Sequence, residues 1–296
     1  SQISVGHRVL VSFAGRQIIG YVAGFAGSAQ VKNPKPLIKI LDEGPIFSAS
    51  QFALAKEISS HYGCSLGEAV ETMLPFSVRK RKSLPLSGGK SRDGLERQPS
   101  GPSPALHLLM GPARDVSVRE EILKQISQAK AQGLGVLCLA PDADCAKVLY
   151  QWLDSAFTGE VTCFDGKPGK NQIEQWLSVW KGSARLVVSV RSGIFLPLRG
   201  LGLIVLTDED HYGYIEDQTP FYHAREVARM RVRQGRCSLV VSAGVPSAEL
   251  WRCAQEERWE IHRPAVSSRA RFVYVDLKNY KPQKSLHFSV PVFQAV

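Results

Sequence analysis

Asp208, Glu209, Asp210 and His211 follow directly on the apolar run Leu203–Leu206, and that order raises the first chemical question. A buried parallel strand that delivers carboxylates at its C-terminal end is how a nucleotide-binding α/β sheet presents Asp and Glu to a phosphate-bound metal. An α/β protein of any other function also ends some strand in acidic loop residues, so the cluster alone leaves both readings open. Beyond it come Arg225, Arg229, Arg233 and Arg236. On a helix turning about 100° per residue these four fall within a stripe about 80° wide. A stripe of guanidinium groups suits phosphates, and a solvated helix face is the alternative.

Phosphate binding in such a sheet needs a partner loop after the first strand, G-x-x-x-x-G-K-[ST]. Its glycine amides cradle phosphates, its lysine reaches the outer phosphates and its hydroxyl holds magnesium. The chain offers Gly111-Pro112-Ala113-Arg114-Asp115-Val116-Ser117-Val118. Only the first glycine is kept. Val116 stands where the second glycine belongs, Ser117 where the lysine belongs and Val118 where the hydroxyl belongs, while Asp115 adds an anion. The S-x-x-E pattern from Ser117 to Glu120 predicts a capping box that starts the helix without a phosphate. Phosphoryl transfer depends on positioning and charge from the missing groups, so no ATP hydrolysis is expected of this lobe, and no metal or other cofactor is expected.

Lys and Arg number 37 against 27 Asp and Glu, a formal charge of +10 over 296 residues. This balance favours a polyanionic partner, nucleic acid ahead of an anionic membrane surface. No apolar run reaches the roughly 18 to 20 residues of a spanning helix, and no charged-then-apolar leader opens the chain, which points to the cytoplasm. The start with Ser-Gln in place of Met suggests that residues ahead of Ser1 were removed. The six cysteines, Cys64, Cys138, Cys145, Cys163, Cys237 and Cys253, form no C-x-x-C pair and read as buried free thiols rather than a zinc site.

Along the chain, Arg8–Phe13, Ile18–Val22 and Leu37–Leu41 alternate apolar and polar residues and predict a small antiparallel β unit. Its first turn carries Gly15 and the cation Arg16, and Lys32 and Lys35 lie in the loop before the third strand. Ser48 or Ser50 caps a helix over 51–61, and a second helix runs from Ser65 to Leu74 before Pro75. Residues 79–104 are rich in Ser, Gly, Pro and basic side chains and read as a linker. From Ala105, strands and helices alternate, which predicts a mainly parallel sheet covered on both faces; Phe272–Leu277 adds a candidate last strand. The expected architecture is α/β in two domains: a β-rich domain over 1–78 and, after the linker, a RecA-like lobe over 105–296.

The order of these segments resembles the PriA family of replication-restart helicases, also called primosomal protein N′. The resemblance rests on VSFAGRQIIGYV, KPLIKILDEGPIF, HYGCSLGEAVETMLP, SVRSGIFLPLRGLGLIVL, YHAREVARMR and SAGVPSAEL, and covers about residues 5 to 290. It implies an N-terminal domain that binds the 3′ end of DNA at forks, followed by a helicase motor. It also places the family's turn glycine on Gly15 and its DNA-contacting lysine on Lys35. The chain departs from the family in several places. Counted back without gaps from Tyr222–Arg225, the D-E-E-H box falls on Thr207-Asp208-Glu209-Asp210, so Thr207 replaces the metal-binding aspartate. The G-S-A-T-P segment is represented by Ser242–Pro246 without its threonine. The linker stands where a winged-helix domain is expected, and the family's zinc-binding cysteines and second motor lobe have no counterpart in these residues. The family's opening strand, which supplies an aromatic and an aspartate to the 3′-end pocket, would precede Ser1.

The combined expectation is a DNA-binding protein of replication restart. Gly15, Arg16, Lys35, Arg225 and Arg229 contact 3′-ended or forked DNA, other primosome proteins are recruited, and Gly111, Ser117, Val118, Thr207, Asp208 and Glu209 form a degenerate nucleotide site. A fragment of an active helicase and a protein-binding α/β scaffold are the alternatives.

Overall fold

The computed structural model describes residues 3–28, 33–86, 104–234 and 237–263. Lys32, Arg236 and the candidate strand Phe272–Leu277 lie outside them. The first sheet is antiparallel and small: β1 (Arg8–Phe13) lies between β2 (Arg16–Tyr21) and β3 (Lys39–Ile40). β1 and β2 are joined by Ala14 and Gly15, with φ of 48° and 78°. A two-residue loop with positive φ at both positions continues the right-handed twist of its strands, and glycine adopts that backbone without a Cβ clash. β3 is shorter than its alternating pattern predicts, although the Ile38 and Leu41 amides still donate to Leu10 and Arg8 carbonyls at 2.9 and 3.0 Å.

Helices α1 (Ala49–Tyr62) and α2 (Leu66–Thr72) start from capping boxes, Ser48 with Gln51 and Ser65 with Glu68. Each satisfies two amides at the helix start. A third helix, α3 (Phe76–Lys80), runs through residues whose basic character suggested the linker. The chain stays packed to residue 86: Leu84 and Leu86 are buried, and the Leu84 amide donates to Asp42 at 2.8 Å. Asp42 is the centre of this corner. Arg8 and Asp42 are fully buried and joined by two hydrogen bonds of 2.6 and 2.7 Å, while the remaining Arg8 nitrogen donates to the carbonyls of Val78 and Arg81. A guanidinium taken out of water needs every donor met, and here one side chain ties β1 to the chain after α3. Of the expected linker, 79–86 is therefore part of the packed fold, and 87–103 lie outside the described residues.

The second sheet has seven strands, all parallel, in the order β10-β4-β9-β8-β5-β7-β6. They are β4 (Leu106–Met110), β5 (Gly135–Ala140), β6 (Val161–Phe164), β7 (Leu186–Val190), β8 (Leu201–Leu206), β9 (Ser238–Ala243) and β10 (Glu260–His262). The alternating helices are α4 (Val116–Ala131), α5 (Ala143–Ala156), α6 (Lys170–Lys181), α7 (Ala224–Arg233) and α8 (Ala248–Glu256). Every residue of β5 is buried, the consequence of an unbroken apolar run in a strand covered on both faces. The expected α/β class with a parallel sheet is the observed one.

The described residues belong to one compact unit. Ile58, Val78 and Leu86 share a continuous apolar core with Trp176, Tyr222 and Leu206 of the lobe. Polar contacts lock the same junction. The Ser77 amide donates to the Gln172 side chain at 3.0 Å, the His223 amide donates to the Tyr62 hydroxyl at 3.1 Å, and Arg233 pairs with Glu57 at 2.9 Å.

Candidate nucleic-acid interface

Cross-strand partners in an antiparallel pair project to the same face. Phe13 pairs with Arg16, and Val11 with Ile18; Arg8 and Tyr21, on the other face, turn inward, where Tyr21 packs edge-on against Phe47. The outer face therefore presents an aromatic ring beside a guanidinium at the hairpin tip. Phe13 is 67% exposed and Ile18 42%. Gly15 is open, with no atom within 4 Å of where a Cβ would stand, so its glycine is required by the positive φ of the turn and not by crowding. Lys35 is exposed. Because β3 runs antiparallel to β1, the residues before it run toward the end of β1 that carries the turn, with Leu37 and Ile38 48% and 46% exposed along the way. Gly15 and Arg16 thus stand at one end of the small sheet, and Lys35 lies in the segment that leads into β3. An exposed aromatic interleaved with cations is the chemistry that stacks bases and meets phosphates. Phe13 escaped the sequence reading, where it counted only as one step of an alternating strand.

Arg225 and Arg229 do not form a free cationic stripe. Arg225 is buried and its guanidinium contacts Glu209, the Ser247 hydroxyl and Glu226. Arg229 pairs with Glu226 at 2.6 Å and with Glu257. Internal carboxylates neutralise both cations, which removes the physical ground for assigning them to phosphates. Glu226, one residue from Arg225 and three from Arg229, was the sequence signal against that assignment.

Where a degenerate nucleotide site is expected, the C-terminal ends of β4, β9 and β8 lie side by side, which brings Gly111–Asp115 and Thr207–His211 together. Asp115, and not Ser117, caps α4: its carboxylate accepts from the Ser117 amide at 2.9 Å and hydroxyl at 2.7 Å. The expected Ser117–Glu120 box is thereby replaced by a cap two residues earlier. The bonds from Ser117 hold the Asp115 carboxyl below the usual carboxylate range. Val118 is buried beneath the loop, 2.9 Å from where a Cβ on Gly111 would stand. Asp208, at φ 51°, accepts from the Ala113 amide at 2.8 Å. Thr207 is buried, its hydroxyl donating to the Leu139 carbonyl at 3.1 Å. Glu209 is buried against Arg225 and accepts from the Ser247 hydroxyl at 2.8 Å. Loop amides and acidic groups are thus bonded to each other.

Residues 1–75 match the family described as the 3'DNA-binding domain (3'BD) of PriA. The chain is 26% identical over 270 residues to "Replication restart protein PriA" of Treponema pallidum, covering 83% of this chain and 40% of that protein. It is 32% identical over 161 residues to "Probable replication restart protein PriA" of Mycobacterium tuberculosis, covering 52% of this chain and 24% of that protein. With "Replication restart protein PriA" of Bacillus subtilis the identity is 28% over 143 residues, 48% of this chain and 18% of that protein. The chain spans about two fifths of the length of the first of these relatives and a quarter or less of the others. Residues 1–75 thus match the PriA 3′ DNA-binding domain, and the likeness to PriA replication restart proteins reaches well past them into the parallel-sheet lobe.

Proposed function

We propose that the chain binds DNA in replication restart, taking the 3′ end of a strand or fork at the hairpin end of its small sheet, and that its lobe does not hydrolyse ATP. The observation that carries the reading is the pairing of exposed Phe13 with Arg16 on the outer face of the domain that matches a 3′ DNA-binding family. A π-face and a cation at a strand end offer base stacking and phosphate attraction together, and neither requires a particular sequence. Affinity dominated by phosphate contacts falls as salt rises. Other primosome or replication proteins are the proposed partners beyond DNA, and the cytoplasm the proposed compartment.

The ATP part of the proposal rests on Ser117 and Val118 standing where lysine and hydroxyl are required, and on Asp115, Asp208 and Glu209 being engaged with Ser117, Ala113 and Arg225. A nucleotide would have to displace those bonds without a lysine or a magnesium hydroxyl to compensate. Calorimetric titration with Mg-ATP, with phosphate release assayed with and without single-stranded DNA, tests this. The expected result is neither saturable heat nor DNA-stimulated release. Low-micromolar binding with stimulated turnover would instead support the reading as part of an active helicase.

A further inference from the structure

Among the described residues β10 is the edge strand of the parallel sheet and is only three residues long. In its register with β4, Glu260 lies opposite His107 and His262 opposite Leu109. Alternate residues of a strand share a face, so Glu260 and His262 project with His107 to one side of the sheet. Their polar atoms converge. His107 Nδ1 is 3.1 Å from His262 Nε2 and 3.3 Å from a Glu260 carboxylate oxygen, and His262 Nε2 is 3.3 Å from the other carboxylate oxygen.

We propose that His107, Glu260 and His262 form a divalent-metal site, with zinc(II) as its preferred ion, that staples β10 to β4. Ligand atoms at about 2.0 to 2.1 Å from a tetrahedral zinc ion lie about 3.4 Å from one another. The two imidazole nitrogens, 3.1 Å apart, and the 3.3 Å from each to a different oxygen of the Glu260 carboxylate have the size of tetrahedral edges, and one ligand atom from each residue lies within 4.8 Å of the others. The ligand atoms form a set that a single ion can span. A hydrogen bond between the two imidazoles uses one proton between two facing nitrogens and leaves one nitrogen to meet the carboxylate separately. A cation engages both lone pairs and the carboxylate at once. Two imidazoles and one carboxylate suit zinc, whereas magnesium and calcium take all-oxygen shells. Glu121 on α4 lies within electrostatic reach of both histidines and adds negative charge, partly offset by its own partner Lys124. His107 is buried, while the Glu260 side chain is 65% exposed, so an ion can enter from solvent and keep a water as its fourth ligand. The position lies at the edge of the described sheet, where a structural role is the consistent one: the metal joins chain segments 153 residues apart.

The test uses the full chain, stripped with a chelator and titrated with cobalt(II) and zinc(II). The expected result is one equivalent of cobalt with the visible absorption of four-coordinate Co(II) and without a thiolate charge-transfer band, displaced by zinc, with zinc raising Tm. His262→Ala and Glu260→Ala are each expected to lose that equivalent and the Tm rise while keeping the far-UV circular dichroism of the parent. If His262→Ala does not fold, Glu260→Ala decides, since its side chain is exposed. A parent that binds less than one equivalent, a thiolate band, or an equivalent retained in a folded variant would each overturn the proposal.

Discussion

Glu209 is fully buried, and its carboxylate is shared between the Arg225 guanidinium and the Ser247 hydroxyl. The pair joins the acidic loop after β8 to the helix that follows it, so two residues that read in sequence as part of a degenerate nucleotide site and as DNA-binding act on each other. Removing one partner of a buried pair leaves a charge without solvent or counter-ion. Arg225→Ala is expected to cost about 3 to 5 kcal/mol in denaturant melts. The Glu209→Ala, Arg225→Ala double variant should lose clearly less than the sum of the singles. Additive losses would show that the two side chains do not depend on each other.

The outer face of the small sheet separates stability from binding. Phe13 is exposed, so Phe13→Ala should leave Tm nearly unchanged, yet weaken single-stranded DNA binding by about 1 to 3 kcal/mol if a base stacks on the ring. Lys35→Ala should instead flatten the salt dependence of binding by up to about one unit of slope. Arg229→Gln, with its side chain held by Glu226 and Glu257, should leave the salt slope as it is. A slope reduced equally by the Lys35 and Arg229 substitutions would return the helix stripe to the interface.

Six of the seven strands of the parallel lobe were legible in the sequence because each is a short apolar run, a signal that burial itself imposes; β10, Glu260-Ile261-His262, carries no such run and was not read. The helix starts near Ser48 and Ser65 were legible for a similar local reason, although the choice of Ser48 over Ser50 and the reciprocal boxes with Gln51 and Glu68 show only in the structure. The start of α4 was not. Two local caps compete there, and Asp115 wins because its carboxylate reaches the Ser117 amide and hydroxyl together. Long-range pairing was beyond the sequence: nothing near Arg8 announces Asp42, and the basic run at 79–82 hides the fact that its backbone carbonyls serve the Arg8 guanidinium. In the candidate site, Gly15, Arg16 and Lys35 were singled out from the turn, its charge and the family likeness, and their role is a proposal. For the arginine stripe, Glu226 lay in view within the helix, whereas Glu209 and Glu257, the distant partners of Arg225 and Arg229, are revealed by no spacing within it.

His223 caps α7, its Nδ1 accepting from the Arg225 amide at 3.1 Å, which requires a neutral ring nitrogen. Burial, reinforced by the Arg225 charge, pushes its pKa down to about 4. In the unfolded chain it titrates near 6.5. Between these values the unfolded state binds the proton and the folded state does not. The stabilisation is therefore complete above about pH 6.5 and lost as pH falls through about 4, up to about 3 kcal/mol in all. His223→Asn keeps a capping oxygen without the titration. Stability measured by urea melts from pH 7 to 4 should fall less steeply in this variant than in the parent; equal slopes would mean that His223 does not carry the difference.

The core shared by α1–α3 and the lobe predicts the behaviour of cleaved protein. Protease that cuts within the Ser/Gly/Pro-rich stretch 87–103 should yield two fragments on a denaturing gel. These should still co-elute in gel filtration, since Glu57–Arg233, Ser77–Gln172 and the apolar junction remain intact. Fragments that separate without denaturant would mean that the junction does not hold on its own.

The end of the small sheet is proposed to recognise a DNA 3′ end without help from ATP. Fluorescence-anisotropy titration of two otherwise identical forks, one with a free 3′-hydroxyl and one with a 3′-phosphate, each with and without Mg-ATP, measures it most directly. The account predicts tighter binding of the free 3′ end, loss of that preference in Lys35→Ala, and curves that do not move on addition of ATP. Equal affinity for the free and blocked forks in the parent protein, or binding that appears only with ATP, would contradict it.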